Sequence, residues 1–536
     1  MSNRTGNLDD IKLLHHNGEL DAARSGYLDL LRVNPDDVDV LHLLGLLCAE
    51  QGQLDEARTY LERARKLAPQ HAVLRLHLAN ILKTAGKYDE AERELQAVID
   101  HDADCAPAYN NLGTVCFARG EYARAVQAYQ SALNIRADYV DAYYNLGLAY
   151  TKLQQDDAAL TTYRALIAIA PAHTGAHFQL GCLLMKRNQF QVAASEFAGI
   201  AETHPHHFES LANLAICQLR QGRVDQAAKC YLHALEIAPD DRDVLFNLGV
   251  IHMQQGYTRD AIQYYVRAVK AHPDFFEAHQ NLGAIYVMAR DNVNALLHFQ
   301  ESLRIRPDHE VSRHMIRILQ QDKQLTTSAP AYIQSLFDSY ADYYDAHMRT
   351  HLHYQVPEKL YAAVKATDVL GTSNLDIADL GAGTGLCGEL FKPHARRLTG
   401  VDLSEKMLAV AAQKNIYDEL VLADAEEFLA GHPAAFHLVL AGDVLVYFGE
   451  LEALIAAAHS ALLPQGYFAF NVEINPREDF ALTPSGRFTH HQSYLKKLAD
   501  QLGFEVVIMA PDALRRQQDQ SVQGYLCLWR RRVIAS

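Results

Sequence analysis

Between Leu375 and Leu390 the sequence reads LDIADLGAGTGLCGEL, an apolar run that enters a loop with glycine at 381, 383, 385 and 388. A loop so poor in side chains lets the backbone approach a ligand closely. Asp402 closes the next apolar run, RLTGVD, where an acid at a strand end is placed to accept hydrogen bonds from both hydroxyls of a ribose. Asp424 closes the third run, ELVLAD, and is followed by Ala425 and Glu426. After the fourth run, AGDVLVYFG puts Asp443 and Tyr447 at the carboxyl edge of a sheet, where ligands of open α/β folds bind. These two are candidates to orient a substrate or accept its proton. SGRFTHHQSY adds Arg487, His490, His491 and Tyr494, and His490 is a candidate base near neutral pH, the alternative being a solvated helix start.

These residues need a sheet to hold them. Apolar runs at 375–380, 397–402, 419–424, 436–442, 466–473, 504–510 and 524–530 alternate with helical segments through the fifth. That alternation predicts a largely parallel sheet ending in an antiparallel hairpin. The glycine loop permits two frames. Gly383, Gly385 and Gly388 fit the dinucleotide fingerprint GxGxxG, in which the first glycine makes the turn at the strand end. Here Gly381 already occupies that place, which favours GxGxG over Gly381, Gly383 and Gly385.

The first 310 residues have a different organisation. Alanine recurs at intervals of 34 from Ala23 through Ala57, Ala91 and Ala125 to Ala295, with a glycine register at Gly45, Gly113, Gly147, Gly181, Gly249 and Gly283 and a proline register from Pro35 to Pro307. Small residues let paired antiparallel helices approach, and one pair cannot bury its own apolar face, so the pairs must stack. Asn111, Asn145, Gln179, Asn213, Asn247 and Asn281 form an amide ladder two residues before the glycine place. An amide offers donor and acceptor to the backbone of an extended peptide, and equally suits a packing role. A last helix near 310–321 caps the stack, and DKQLTTSAPAY near 322–330 is a short linker.

Composition limits the remaining possibilities. The chain has 536 residues, a formal charge of -16 and eight cysteines, none in a CxxC pair. Such length suggests two or three domains. The acidic balance argues against nucleic acid as a partner, and the cysteines read as buried thiols of an intracellular, cytoplasmic protein. No uncharged run of about 18 apolar residues occurs, so no membrane span is expected. The histidines of THPHH meet no second ligand group, and no metal site is expected.

Residues 108–138, AYNNLGTVCFARGEYARAVQAYQSALNIRAD, closely resemble a tetratricopeptide repeat. Nine are expected from Arg4 to His309, forming an all-α superhelix whose concave surface carries the amide ladder. The Asn-Leu-Gly ladder is similar to that of the O-linked N-acetylglucosamine transferase array, and the resemblance implies a protein or peptide bound in the groove.

Asp379 two places before Gly381, the GxGxG loop, Asp402 and the ADAEEF corner together resemble class I S-adenosylmethionine-dependent methyltransferases. That resemblance implies a Rossmann-like α/β domain over 330–536 after a cap and linker at 310–329, with a mixed seven-stranded sheet in the order 3-2-1-4-5-7-6. It implies S-adenosyl-L-methionine as cofactor, held by Asp379, Gly381, Gly383, Gly385, Asp402, Leu403, Asp424, Ala425, Glu426 and Tyr344. Phe337, Tyr340, Tyr343 and Tyr344 lie on an N-terminal segment resembling the leader that folds over the cofactor in small methyltransferases, alternatively a helix packed between domains. The whole chain is similar to bacterial methyltransferases that carry repeats ahead of the catalytic domain. The expectation is a protein or peptide methyltransferase, with a tethered small-molecule methyltransferase or a non-enzymatic adaptor as alternatives. The acceptor atom and oligomeric state stay open.

Overall fold

The computed structural model describes residues 7–338, 341, 344–346, 348–349, 352–371, 374–483, 485–517 and 520–533. Tyr340, Tyr343 and the segment before Asn7, which includes Arg4, lie outside the described residues. A helical array over residues 8–320 is followed by an α/β domain. The chain divides into two compact units, 1–251 and 252–536.

The first unit consists of antiparallel pairs such as Ala106–Ala118 with Tyr122–Ile135 and Val140–Lys152 with Asp156–Ile169. Its glycine register has a direct packing cause. A Cβ on Gly113 would meet the Tyr129 ring at 2.5 Å, and one on Gly181 would meet Phe197 at 2.7 Å, so the second helix of each pair inserts a large side chain where the first has none. Tyr129, Tyr163 and Phe197 are fully buried there. The first helices are capped from a fixed register as well. Asp37, His71, His173, His207 and Asp241 each accept a backbone N–H three residues on.

The turn inside each pair needs a left-handed residue. Gly120 has φ 79°, while Gln154 holds the equivalent place of the next repeat at φ 58°. An L side chain is strained there by about 1–2 kcal/mol. Gly120→Ala is therefore expected to lower array stability by about 1 kcal/mol, whereas Gln154→Ala, which starts strained, is expected to change it little. Thermal unfolding followed by circular dichroism compares the two.

The second unit begins with repeat helices Thr258–Ala271, Phe276–Met288 and Asn292–Ile305 and the capping helix Glu310–Leu319. The stretch 322–330, expected as a linker, is packed. Leu325 joins Ile318 and Phe488 in an apolar cluster, and Thr326 O accepts from Gly449 N at 2.8 Å and Glu450 N at 3.0 Å. Ser328 N donates to Tyr447 O at 2.8 Å.

One sheet forms the α/β core. Its strands are β1 (Leu375–Leu380), β2 (Ala395–Asp402), β3 (Glu419–Leu422), β4 (Phe436–Ala441), β5 (Leu462–Ile474), β6 (Phe480–Leu482), β7 (Phe488–His490), β8 (Phe504–Gln517) and β9 (Gln520–Arg531). Parallel strands run β3-β2-β1-β4-β5, and β9 pairs antiparallel with β5 and β8. With β9 and β8 as the seventh and sixth long strands, this is the expected 3-2-1-4-5-7-6 order. The short β6–β7 hairpin, read from sequence as a loop-to-helix entry, adds to the end of β5. Every residue of β1 is buried, as in a sheet covered on both faces. Ala378 and Leu380 face the layer containing Ile455 and Trp529, and Leu375 and Ile377 face the one containing Val356 and Phe391.

Candidate active site

A cavity opens at the carboxyl ends of β1, β2, β3 and β4, lined by Gly381, Gly383, Asp402, Leu403, Asp424, Ala425, Asp443 and Tyr447. The sequence of β1 dictates its floor. Gly381 has φ 57°, and a Cβ there would strike Val444 Cγ2 at 2.5 Å. A Cβ on Gly383 would meet only Gly381 O, at 3.8 Å, so its side is open to a ligand. Gly385 caps the helix Leu386–Phe391 away from the cavity. Gly388 lies inside that helix against Tyr417. The turn at the strand end is thus made by Gly381, as the GxGxG frame requires.

Strand alternation explains Asp379. It faces the Ile377 layer, under the helix carrying Gly388, and not the cavity. Tyr417 Oη donates to its Oδ2 at 2.6 Å. Burial raises its carboxyl to about 7, against that hydrogen bond and one from Gly388 N–H. Asp379 therefore ties β1 to the helix carrying Gly388 and to Tyr417, which precedes β3.

Asp402 is different. Gly383 N donates to its Oδ2 and Ser404 N to its Oδ1, both at 2.8 Å. Burial raises its carboxyl above the ordinary value, opposed by these N–H groups and that of Leu403. Asp424 caps the helix Ala425–Ala430, its Oδ1 accepting from Glu426 N at 2.8 Å. Ala423, Asp424 and Ala425 line the cavity, but the Glu426 side chain does not. Its place in the first helical turn points it elsewhere.

The far end of the cavity holds a buried ionic cluster. Asp443 has φ 61°, an uncommon conformation for a non-glycine residue. Asn471 on β5 holds it from both sides, accepting from Asp443 N at 2.7 Å and donating to Asp443 Oδ1 at 2.8 Å. Arg487 donates to Asp443 Oδ2 at 2.9 Å and to Glu473 Oε1 at 2.6 Å. Arg515 on β8 donates to the same Glu473 oxygen at 2.8 Å. Burial pushes the Asp443 carboxyl up, but Arg487 and Arg515 outweigh it and hold it below the usual value. Asp443 is thus a committed anion. Tyr447 lies beneath Arg487, whose guanidinium carbon is 5.4 Å from the ring centre, and burial raises its phenol.

His490 is not brought into the cavity. As part of β7 it is fully buried, with Nε2 3.1 Å from Gly449 O and its ring stacked on Tyr494. Burial lowers it to about 4, so at neutral pH it is an uncharged structural group. Its neutral form contributes fully above about 6.5, its unfolded value, and that contribution declines as pH falls from there toward 4. Unfolding by urea, followed through Trp529 fluorescence, is expected at lower denaturant at pH 5 than at pH 7. His490→Gln should shrink the difference.

Described residues of the leader segment line the cavity. Ile333, Leu336, Phe337 and Tyr344 line it, and the Phe337 ring packs edge-on to Tyr447 at 5.8 Å. Ser404 Oγ donates to Asp338 at 2.5 Å, and Asp345 accepts from Thr384 and from Lys414 Nζ, the latter at 2.8 Å. The sequence reading missed Thr384, Asn471, Glu473 and Arg515. Asn471 and Glu473 carried a signal, being polar within the apolar run FAFNVEI. Arg515, in PDALRRQQ, carried none.

The ladder amides all lie on first helices and are half-buried. Asn145 donates to Asn110 at 3.1 Å and Asn281 to Tyr265 Oη at 3.0 Å. Asn145 also lines a groove with Lys83, Thr114 and Phe117. Asn111, Gln179, Asn213 and Asn247 occupy the same place in their repeats. No cluster of three metal-ligating side chains occurs among the described residues, and no described helix is long and apolar enough to cross a membrane.

Tetratricopeptide repeat families match residues 14–72, 49–115, 113–154, 140–173, 178–242 and 243–310. A methyltransferase domain family matches 378–470, which includes the glycine loop, Asp402, Asp424 and Asp443. The chain is a tetratricopeptide-repeat protein joined to a class I methyltransferase domain. The methyltransferase domain is similar to the ubiquinone biosynthesis O-methyltransferase of Thiobacillus denitrificans, 29% identical over 18% of this chain and 43% of that one. It is also similar to the demethylmenaquinone methyltransferase of Chlorobaculum tepidum, 32% identical over 26% of this chain and 60% of that one. The chain spans about half the length of the curated relatives it matches. Among solved structures, the array is similar to YrrB, a tetratricopeptide-repeat protein with a peptide-binding site, at 21% identity and a TM-score of 0.33, covering 34% of this chain and 95% of that one.

Proposed function

We propose that the chain is an S-adenosylmethionine-dependent methyltransferase whose repeat array recruits a protein or peptide substrate. The observation that carries the cofactor is Asp402. Two backbone N–H groups fix its carboxylate at the cavity wall, and each oxygen retains a lone pair for a vicinal ribose hydroxyl. The rest of the donor set fits: Asp424 Oδ2, which has no hydrogen bond among the described residues, suits an adenine amino group, and Gly383 leaves space beside the loop. When bound, S-adenosylmethionine supplies a methyl group made electrophilic by its sulfonium. The chain then has to orient an acceptor and exclude water. Phe337 and Tyr344 of the leader serve the second task. Tyr447 and the cluster around Asp443 face the acceptor.

The likeness to O-methyltransferases of quinone biosynthesis supports a second reading, with a small-molecule acceptor and an array that only tethers. The methyltransferase family match takes in Asp402, Asp424, Asp443 and Tyr447 and ends at residue 470, before Arg487 and Arg515.

The array separates these readings. Each ladder amide would add a net hydrogen bond of about 0.5–1.5 kcal/mol. Asn213→Ala with Asn247→Ala is therefore expected to weaken a protein substrate by about 1–2 kcal/mol. Methylation of a short peptide is expected to stay unchanged. Unchanged protein affinity with a lowered melting temperature would make the ladder structural and leave the small-molecule reading.

A further inference from the structure

Among the described residues, the acceptor end of the cavity combines a spare donor with the lack of a free base. Arg515 is 7% exposed and lines the cavity, and its Nη1 has no hydrogen-bond partner among the described residues. Asp443 Oδ2 is 3.6 Å from it and already accepts from Arg487. A buried guanidinium N–H without a partner costs free energy until an acceptor fills the place. Among the described residues, neither carboxylate at this end is free to remove a proton, and burial raises the Tyr447 phenol, keeping it protonated. Asp443 is held by Asn471 and Arg487, and Glu473 by two arginines.

Amines and phenols, with ordinary pKa values near 10, reach a site at pH 7 protonated and require a base. A carboxylate arrives deprotonated. We infer that the methyl acceptor is a carboxylate, oriented by Arg515 Nη1, and that the product is a methyl ester. The inference rests on the cofactor proposed above. A bond forms between the carboxylate oxygen and the methyl carbon, the sulfur–methyl bond breaks, and its electron pair stays on sulfur as a neutral thioether. No proton moves, in keeping with the absence of a free base among the described residues. Arg515 is charge-assisted toward an anion and can donate in the plane of a carboxylate.

The test uses the full chain saturated with S-adenosylhomocysteine and calorimetric titration of four probes. These are benzoate, benzamide, a blocked glutamate-containing hexapeptide and its glutamine counterpart. The expected result is that one acid binds at least ten-fold more tightly than its amide, and which acid does so tells a free organic acid from a peptide carboxyl. Arg515→Gln should abolish the acid preference and leave S-adenosylhomocysteine affinity within two-fold. With labelled S-adenosylmethionine, the product's methyl group should be released as methanol by mild alkali. Equal binding of acid and amide, no binding of either acid, or an alkali-stable label would each overturn the inference. So would an Arg515→Gln loss confined to S-adenosylhomocysteine, which would assign that guanidinium to the cofactor. The acid–amide comparison needs no variant, so it stands even if Arg515→Gln fails to fold. A chain that binds neither S-adenosylmethionine nor S-adenosylhomocysteine would instead sink the cofactor proposal.

Discussion

Arg487→Ala is expected to destabilise the methyltransferase domain by about 3–5 kcal/mol, the cost of leaving buried charge without its partner. Arg487 bonds both Asp443 and Glu473, and the side chains of these two acids are each 10% exposed. With Arg487 gone, two buried carboxylates share Arg515 alone. The loss should be smaller when Glu473→Gln accompanies it, because one stranded charge goes too. Trp529 is the chain's single tryptophan and sits fully buried in the domain core. Its fluorescence during urea unfolding reads this domain apart from the repeats, which matters because a chain of two compact units need not unfold in one step. An unchanged midpoint would show that the cluster is solvated and not a structural keystone.

Asp402→Ala carries the second large effect, on binding. Loss of hydrogen bonds to a charged acceptor is expected to weaken S-adenosylmethionine by about 1.5–3 kcal/mol, roughly ten-fold to a hundred-fold. The change also frees Gly383 N and Ser404 N from the oxygens that hold them, so the loop itself loses an anchor. Asp402→Asn keeps the shape and should lose less. Calorimetry of folded variants reads both, and equal affinities would remove Asp402 from the ribose.

The parts of this molecule legible in the sequence are those with a period or a fixed neighbour. The register of 34 carries a packing rule, Gly113 under Tyr129 and Gly181 under Phe197, that repeats and so stands out. The glycine loop, Asp402 and Asp424 sit at strand ends, where topology alone brings them together. Asp379 is different: the methyltransferase resemblance implied contact with the cofactor, but alternation along β1 turns it toward Tyr417. His490 misled for a related reason. The short hairpin β6–β7 makes it a buried strand residue, and three-residue strands leave almost no pattern. Arg515 and Glu473 meet through β9, which lies between their strands, a relation no local spacing expresses.

The proposed function requires the loop after β1 to accept S-adenosylmethionine and not a dinucleotide. Titration calorimetry of the full chain with each ligand tests it most directly. Saturable one-site binding of S-adenosylmethionine is expected, with a Kd on the order of micromolar, about -8 kcal/mol, and no heat from NAD at the same concentrations. Binding of NAD with none of S-adenosylmethionine would contradict it.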